Sequence, residues 1–63
     1  MRRIRKFLNK RVIMTLNNYT TYRGTLRQFV GEDKYFIEWI NDRGRYTTFY
    51  FDEKDIKDIS EEM

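Results

Sequence analysis

Cysteine and histidine are both absent from this 63-residue chain, and its one serine is Ser60. Without cysteine there is no disulfide framework, and without thiolate or imidazole there is no ordinary zinc site. The same absences remove the usual nucleophiles and general bases. The carboxylates cluster near the C-terminus with no apolar pocket in view to shift their pKa values, so a non-enzyme needing no cofactor is expected. No apolar run is long enough to span a bilayer, and Arg2 and Arg3 are followed by no signal-peptide apolar core. A soluble, cytoplasmic chain follows as the expectation, and the lack of cysteine fits a reducing compartment.

The length implies one domain, residues 1–63, of a size that buries only about 60% of the surface its unfolded form exposes. A core this small supplies about 3–5 kcal/mol unaided. With disulfide and metal closed as supplements, self-association is the one that remains. The alternative is a well-packed monomer, which the 17% aromatic content would serve.

Charge is distributed unevenly about a net +3. Met1 to Arg11 carries six basic residues and no acid, and Asp52 to Met63 carries six acids against two lysines. The basic start suits an anion, and the acidic end suits a basic segment, such as that of a neighbouring subunit.

Within the basic residues 1–10, Arg2–Lys10 reads as a short amphipathic helix, because Ile4, Phe7 and Leu8 fall at i, i+3 and i+4. It is either a solvated cap over one end of the fold or an electropositive shelf for phosphates. Val12–Leu16 alternates as a first strand, Asn17 and Asn18 supply turn chemistry through their tolerance of left-handed angles, and Thr20–Val30 is a long second strand. Gly24 interrupts that strand and marks a bend, a bulge or a close backbone approach. Gly31, Glu32 and Asp33 make a turn, and Tyr35–Ile40 is a third strand that is apolar on both faces apart from Glu38. Asn41, Asp42, Arg43 and Gly44 are the strongest turn signal, with Gly44 suited to a left-handed position. Arg45–Phe51 is a fourth strand, Asp52–Asp55 a tight turn, Ile56 with Ile59 a short last strand or a single anchoring turn, and residues 60–63 a frayed acidic tail. A helix followed by five strands predicts a mainly β, strongly bent antiparallel SH3-like barrel.

Leu16, Gly24, Leu26 and Phe29 stand at the spacing of the first motif of the Sm and Sm-like proteins, and Tyr22-Arg23-Gly24 followed by Leu26 resembles its eukaryotic form. Phe7-Leu8-Asn9 is similar to the start of the Hfq-like branch. The resemblance implies a helix-plus-five-strand barrel, a ring built by pairing the fourth strand with a neighbour's fifth, and single-stranded RNA binding. At the family's RNA-reading positions the chain departs from the pattern: Val30, Asp33 and Lys34 replace its aspartate, stacking residue and asparagine. No Arg-Gly pair follows the fourth strand, and Asp52-Glu53-Lys54 stands where Hfq has Tyr-Lys-His. The uridine pocket is therefore not carried over, and Lys54 is the one matching position left to meet a phosphate.

The function these features point to is nucleic-acid binding, with RNA favoured over DNA and assembly into a homo-oligomer through edge strands. Candidate contacts are Arg3, Lys6 and Lys10 in the helix, Arg27 on the second strand, Arg43, Arg45 and Tyr46 around the hairpin, and Lys54. Tyr46 also fits as an ordinary cross-strand aromatic and Arg43 as turn filler. One alternative is a duplex-DNA chromatin-type protein with Trp39 as a minor-groove wedge, although its apolar neighbours favour burial. Another is a protein-interaction adaptor or inhibitor using an exposed sheet edge or the acidic tail.

Overall fold

Val12, Met14 and Leu16 are buried while Ile13 and Thr15 between them are half-exposed, which is the period of a strand with one face on the core. That strand, β1 (Arg11–Leu16), is followed by β2 (Thr21–Gln28), β3 (Lys34–Ile40), β4 (Tyr46–Asp52) and β5 (Ile56–Glu61). The computed structural model describes residues 4–29 and 34–62, so Arg3, Val30, the turn at Gly31, Glu32 and Asp33, and Met63 lie outside the described residues. All five strands are antiparallel to their neighbours in one sheet of order β4-β3-β2-β1-β5. Among the described residues the sheet is not closed: β4 and β5 are its two edges, where a closed barrel was the expectation.

The sheet folds over its own inner face. Ile4, Val12, Met14, Leu26 and Ile37 are fully buried there, with Leu16, Tyr35, Phe51 and Ile56 beside them. Tyr22, Trp39 and Phe49 pack against this core from one side. A β-carbon at Gly24 would collide with the Glu38 carbonyl oxygen and lie 3.1 Å from Ile37 Cγ1. Of the readings open for Gly24, close backbone approach is the one that holds, and only a hydrogen fits between β2 and β3.

The helix expected over Arg2–Lys10 is replaced by a single 3-10 turn at Ile4–Phe7. The apolar stripe survives, since Ile4 is buried and Phe7 and Leu8 pack on the core. The chain then leaves the turn at Asn9, whose φ is +66°. Asn9 N–H donates to the Leu26 carbonyl at 2.7 Å, and Leu26 N–H donates to the Lys10 carbonyl at 3.1 Å. Those bonds to β2 are incompatible with a helix continuing through Lys10, and a segment this short has little helical stability to oppose them.

The two described β-hairpin turns differ in which residue takes the positive φ. In the β3–β4 turn, Gly44 takes the positive φ (+75°), and Asn41 Oδ1 accepts from both Arg43 N–H (2.9 Å) and Arg45 N–H (3.1 Å). In the β1–β2 turn, Asn18 Oδ1 accepts from Thr20 N–H at 3.0 Å, and the positive φ (+69°) falls on Tyr19 rather than on an asparagine.

A second 3-10 turn, Glu53–Asp55, is tied by Asp52 N–H donating to Asp55 Oδ2 at 3.1 Å. It leads into β5, which is a full strand, and the tail expected to fray is paired. Ser60 lies opposite Ile13 and Glu61 opposite Val12, and Glu62 N–H donates to the Arg11 carbonyl at 2.9 Å. The β1–β5 register shifts so that Leu16 faces Ile56 and Thr15 faces Asp58, leaving Lys57 as the extra residue of a bulge. No described helix is long and apolar enough to cross a membrane.

Candidate nucleic-acid interface

An arginine or lysine contributes to anion binding in proportion to the charge its own neighbours leave it, so the cations separate by partner. Lys10 Nζ lies 3.7 Å from Glu61 Oε1, Arg11 3.2 Å from Glu62 Oε1, and Arg23 3.7 Å from Glu62 Oε2. The acidic end of the chain thus offsets the basic start within one molecule. Arg27 is further engaged: its Nε donates to Glu38 Oε2 at 2.8 Å and its guanidinium to Asn9 Oδ1 at 2.6 Å. That geometry makes Arg27 a brace between β2, β3 and the N-terminal segment. Lys6 is exposed with its ammonium 5.1 Å from the Phe7 ring centroid.

Arg43 and Arg45 are placed differently. Both are exposed at the tip of the β3–β4 hairpin, and neither side chain meets a carboxylate among the described residues. The two bonds to Asn41 Oδ1 hold their backbone. Tyr46 follows immediately, 73% exposed, and sits opposite Ile40 in the register. An exposed ring can stack on a base, and the two guanidinium groups that precede it in the chain can neutralise phosphates.

From Tyr46 the outward face of β4 continues through Thr48 to Tyr50. Phe29 stacks on Tyr50 with centroids 5.2 Å apart and planes 12° from parallel, and Phe36 meets the same ring at 5.4 Å. A pocket of about 410 Å³ opens beside them, lined by Phe29, Tyr35, Tyr50, Lys34, Asp52 and Asp55 among others. Two carboxylates against one ammonium give it a charge poorly matched to a phosphate. Lys54, exposed on the second 3-10 turn, has no carboxylate partner among the described residues, and its carbonyl accepts from Asn17 Nδ2 at 3.0 Å.

Of the residues singled out in the sequence, Arg43, Arg45 and Tyr46 are exposed neighbours on the β3–β4 hairpin, Lys10 and Arg27 are engaged by Glu61 and by Glu38 and Asn9, and Lys6 and Lys54 are exposed on the two 3-10 turns. Tyr50, Phe29 and Lys34 were not among the candidates. Alternation does put Tyr46 and Tyr50 on one face of β4, but no local signal says that this face is the outer one. Trp39 is half-buried, with its ring 5.7 Å from that of Tyr22. Among the described residues no group of His, Cys, Asp or Glu could hold a metal ion. In comparisons with known proteins, no family model, no curated protein and no solved structure matches this chain.

Proposed function

We propose that this chain is a non-enzymatic, cytoplasmic nucleic-acid-binding module, with single-stranded RNA favoured over DNA, that grips phosphates through the β3–β4 hairpin. The observation that carries the reading is the pair Arg43 and Arg45, exposed and without a carboxylate partner among the described residues, beside the exposed ring of Tyr46. The basic N-terminal segment contributes less than its charge suggests, because Lys10 and Arg11 are offset by Glu61 and Glu62. Trp39, held against Tyr22, is poorly available as a wedge, which weighs against the duplex-DNA alternative.

Sm-like architecture, with subunits joined edge to edge into a ring, is part of the proposal. It is supported by the sheet order, which leaves β4 and β5 as the two edges, and by the exposed Tyr46, Thr48 and Tyr50 along β4. An unpaired edge rich in aromatic residues is an aggregation hazard unless another strand covers it. The same observation favours the second reading, a protein-interaction module in which the covering strand belongs to a different protein.

The test is a titration of labelled single-stranded RNA and DNA at low and moderate salt, with light scattering on the same samples. The expected result is binding that weakens steeply with salt and falls roughly tenfold in the Arg43→Ala/Arg45→Ala variant. No binding to either strand type would leave the protein-interaction reading. A monomer at micromolar concentration would remove the ring and keep the hairpin.

A further inference from the structure

The β1–β2 turn holds the one described aromatic residue in left-handed backbone conformation. Tyr19 has φ +69°, a region where an L residue with a bulky side chain is disfavoured and where glycine or asparagine is the usual occupant. An asparagine stands immediately before it, in a position where its side chain caps Thr20 N–H instead. Packing does not account for the choice of tyrosine, because Tyr19 is 73% exposed and outside the core cluster. The turn itself is firmly held. Tyr19 N–H donates to the Leu16 carbonyl at 2.9 Å, Leu16 N–H to the Thr20 carbonyl at 2.9 Å, and Asn17 N–H to the Asp55 carbonyl at 2.9 Å.

A second feature converges on the same ring. Lys57 is the extra residue of the β5 bulge, and its ammonium lies 5.2 Å from the Tyr19 ring centroid. Bulges turn a side chain away from the direction the regular ladder would give it. Lys57 has no carboxylate partner among the described residues, and Lys54, on the turn that Asn17 latches, has none either. One face of an exposed, firmly held ring thus carries the Lys57 ammonium, while the rest of the ring remains open to solvent.

We propose that Tyr19 is a stacking residue for an unpaired base of single-stranded nucleic acid, with Lys57 neutralising the adjoining phosphate. The proposal rests on the nucleic-acid reading and adds to it a second contact point, apart from the Arg43 hairpin in the chain. Strained positions persist where function outweighs their local cost. An aromatic face serves any base, so the contact supplies affinity without sequence preference.

The experiment compares the wild type with Tyr19→Asn, Tyr19→Phe, Lys57→Ala and Arg43→Ala/Arg45→Ala, using a fluorescein-labelled oligouridine and an abasic strand of equal length as probes. Tyr19→Asn is expected to lower oligouridine affinity by about five- to hundredfold, the range set by loss of one stacked base, and to leave binding of the abasic strand unchanged. Its melting temperature is expected not to fall, because asparagine tolerates the left-handed region. Tyr19→Phe is expected to bind as wild type, and Lys57→Ala to reduce the slope of log K against log salt by about 0.7. Equal loss on both probes, unchanged oligouridine binding, or a lowered melting temperature in Tyr19→Asn would each overturn the stacking role. If Tyr19→Asn binds like wild type while the hairpin variant is weakened, this proposal fails and the functional reading stands. Absence of binding by the wild type ends both.

Discussion

Tyr22 of β2 is stacked on Phe49 of β4, with ring centroids 4.4 Å apart and planes 13° from parallel, although β3 lies between the two strands in the sheet. Residues two strands apart in a flat sheet are about 10 Å from each other, so this contact measures how sharply the sheet folds. The two rings meet across the bent sheet, and Trp39 packs on Tyr22 beside them.

Truncation of either ring should therefore loosen the bend. Tyr22→Ala and Phe49→Ala are each expected to cost about 2–4 kcal/mol, somewhat below the range for fully buried aromatics because both rings are half-exposed. In a double-mutant cycle by urea denaturation the coupling should be about 1 kcal/mol. Additive losses would mean that the rings stabilise the fold independently of one another.

Gly24 and Gly44, the two described glycines, give a contrast of mechanism. Gly24→Ala forces a methyl group into the Glu38 carbonyl, a backbone atom that cannot swing aside, and should cost about 3 kcal/mol or more. Gly44→Ala meets no atom within 4 Å and is penalised only through its positive φ, so a loss of about 1 kcal/mol is expected. Circular-dichroism melts should separate them clearly, with the Gly24 variant left with at most about 2 kcal/mol if the core margin is about 3–5 kcal/mol.

Arg27 should behave as a structural residue. Its removal leaves Glu38, whose side chain is mostly shielded, without its 2.8 Å partner, and Asn9 without a 2.6 Å donor. Arg27→Ala is expected to lower stability by about 1–2 kcal/mol. Oligonucleotide affinity measured well below the melting temperature should change less than in the Arg43→Ala/Arg45→Ala variant.

Ending the chain at Ile59 should also be destabilising. It removes the pairings of Ser60 and Glu61 with β1, the Glu62 N–H bond to Arg11, and the carboxylate shared by Arg11 and Arg23. A loss of about 1–3 kcal/mol is expected, read as a lower urea midpoint. An unchanged midpoint would mean that these terminal contacts do not persist in solution.

Strand positions were legible because they are written locally. Val12-Ile13-Met14 and Tyr46-Thr47-Thr48 carry the two-residue period on their own, and Asn41 to Gly44 carries the turn chemistry of its hairpin. The placement of Arg43, Arg45 and Tyr46 around that hairpin was legible for the same reason. What misled was the N-terminal segment, where a helical spacing of Ile4, Phe7 and Leu8 is also satisfied by one 3-10 turn that hands its chain to β2. The frayed tail misled similarly, since its polar residues pair as an edge strand whose partners lie at the far end of the sequence.

By itself, then, the sequence determined the mainly β architecture, the succession of the first four strands, a special role for Gly24 and the absence of thiol and imidazole groups. All of these depend on residue type and near-neighbour spacing. Only the tertiary structure decided which cations remain available. Arg11 and Glu62 are 51 residues apart, and nothing in either neighbourhood announces that the guanidinium and the carboxylate meet at 3.2 Å. It likewise decided that Tyr46 and Tyr50 face outward while Phe49 and Phe51 face inward, and that Tyr19 takes the left-handed position. Alternation defines two faces of a strand, and only the packing of the folded sheet chooses which one is buried.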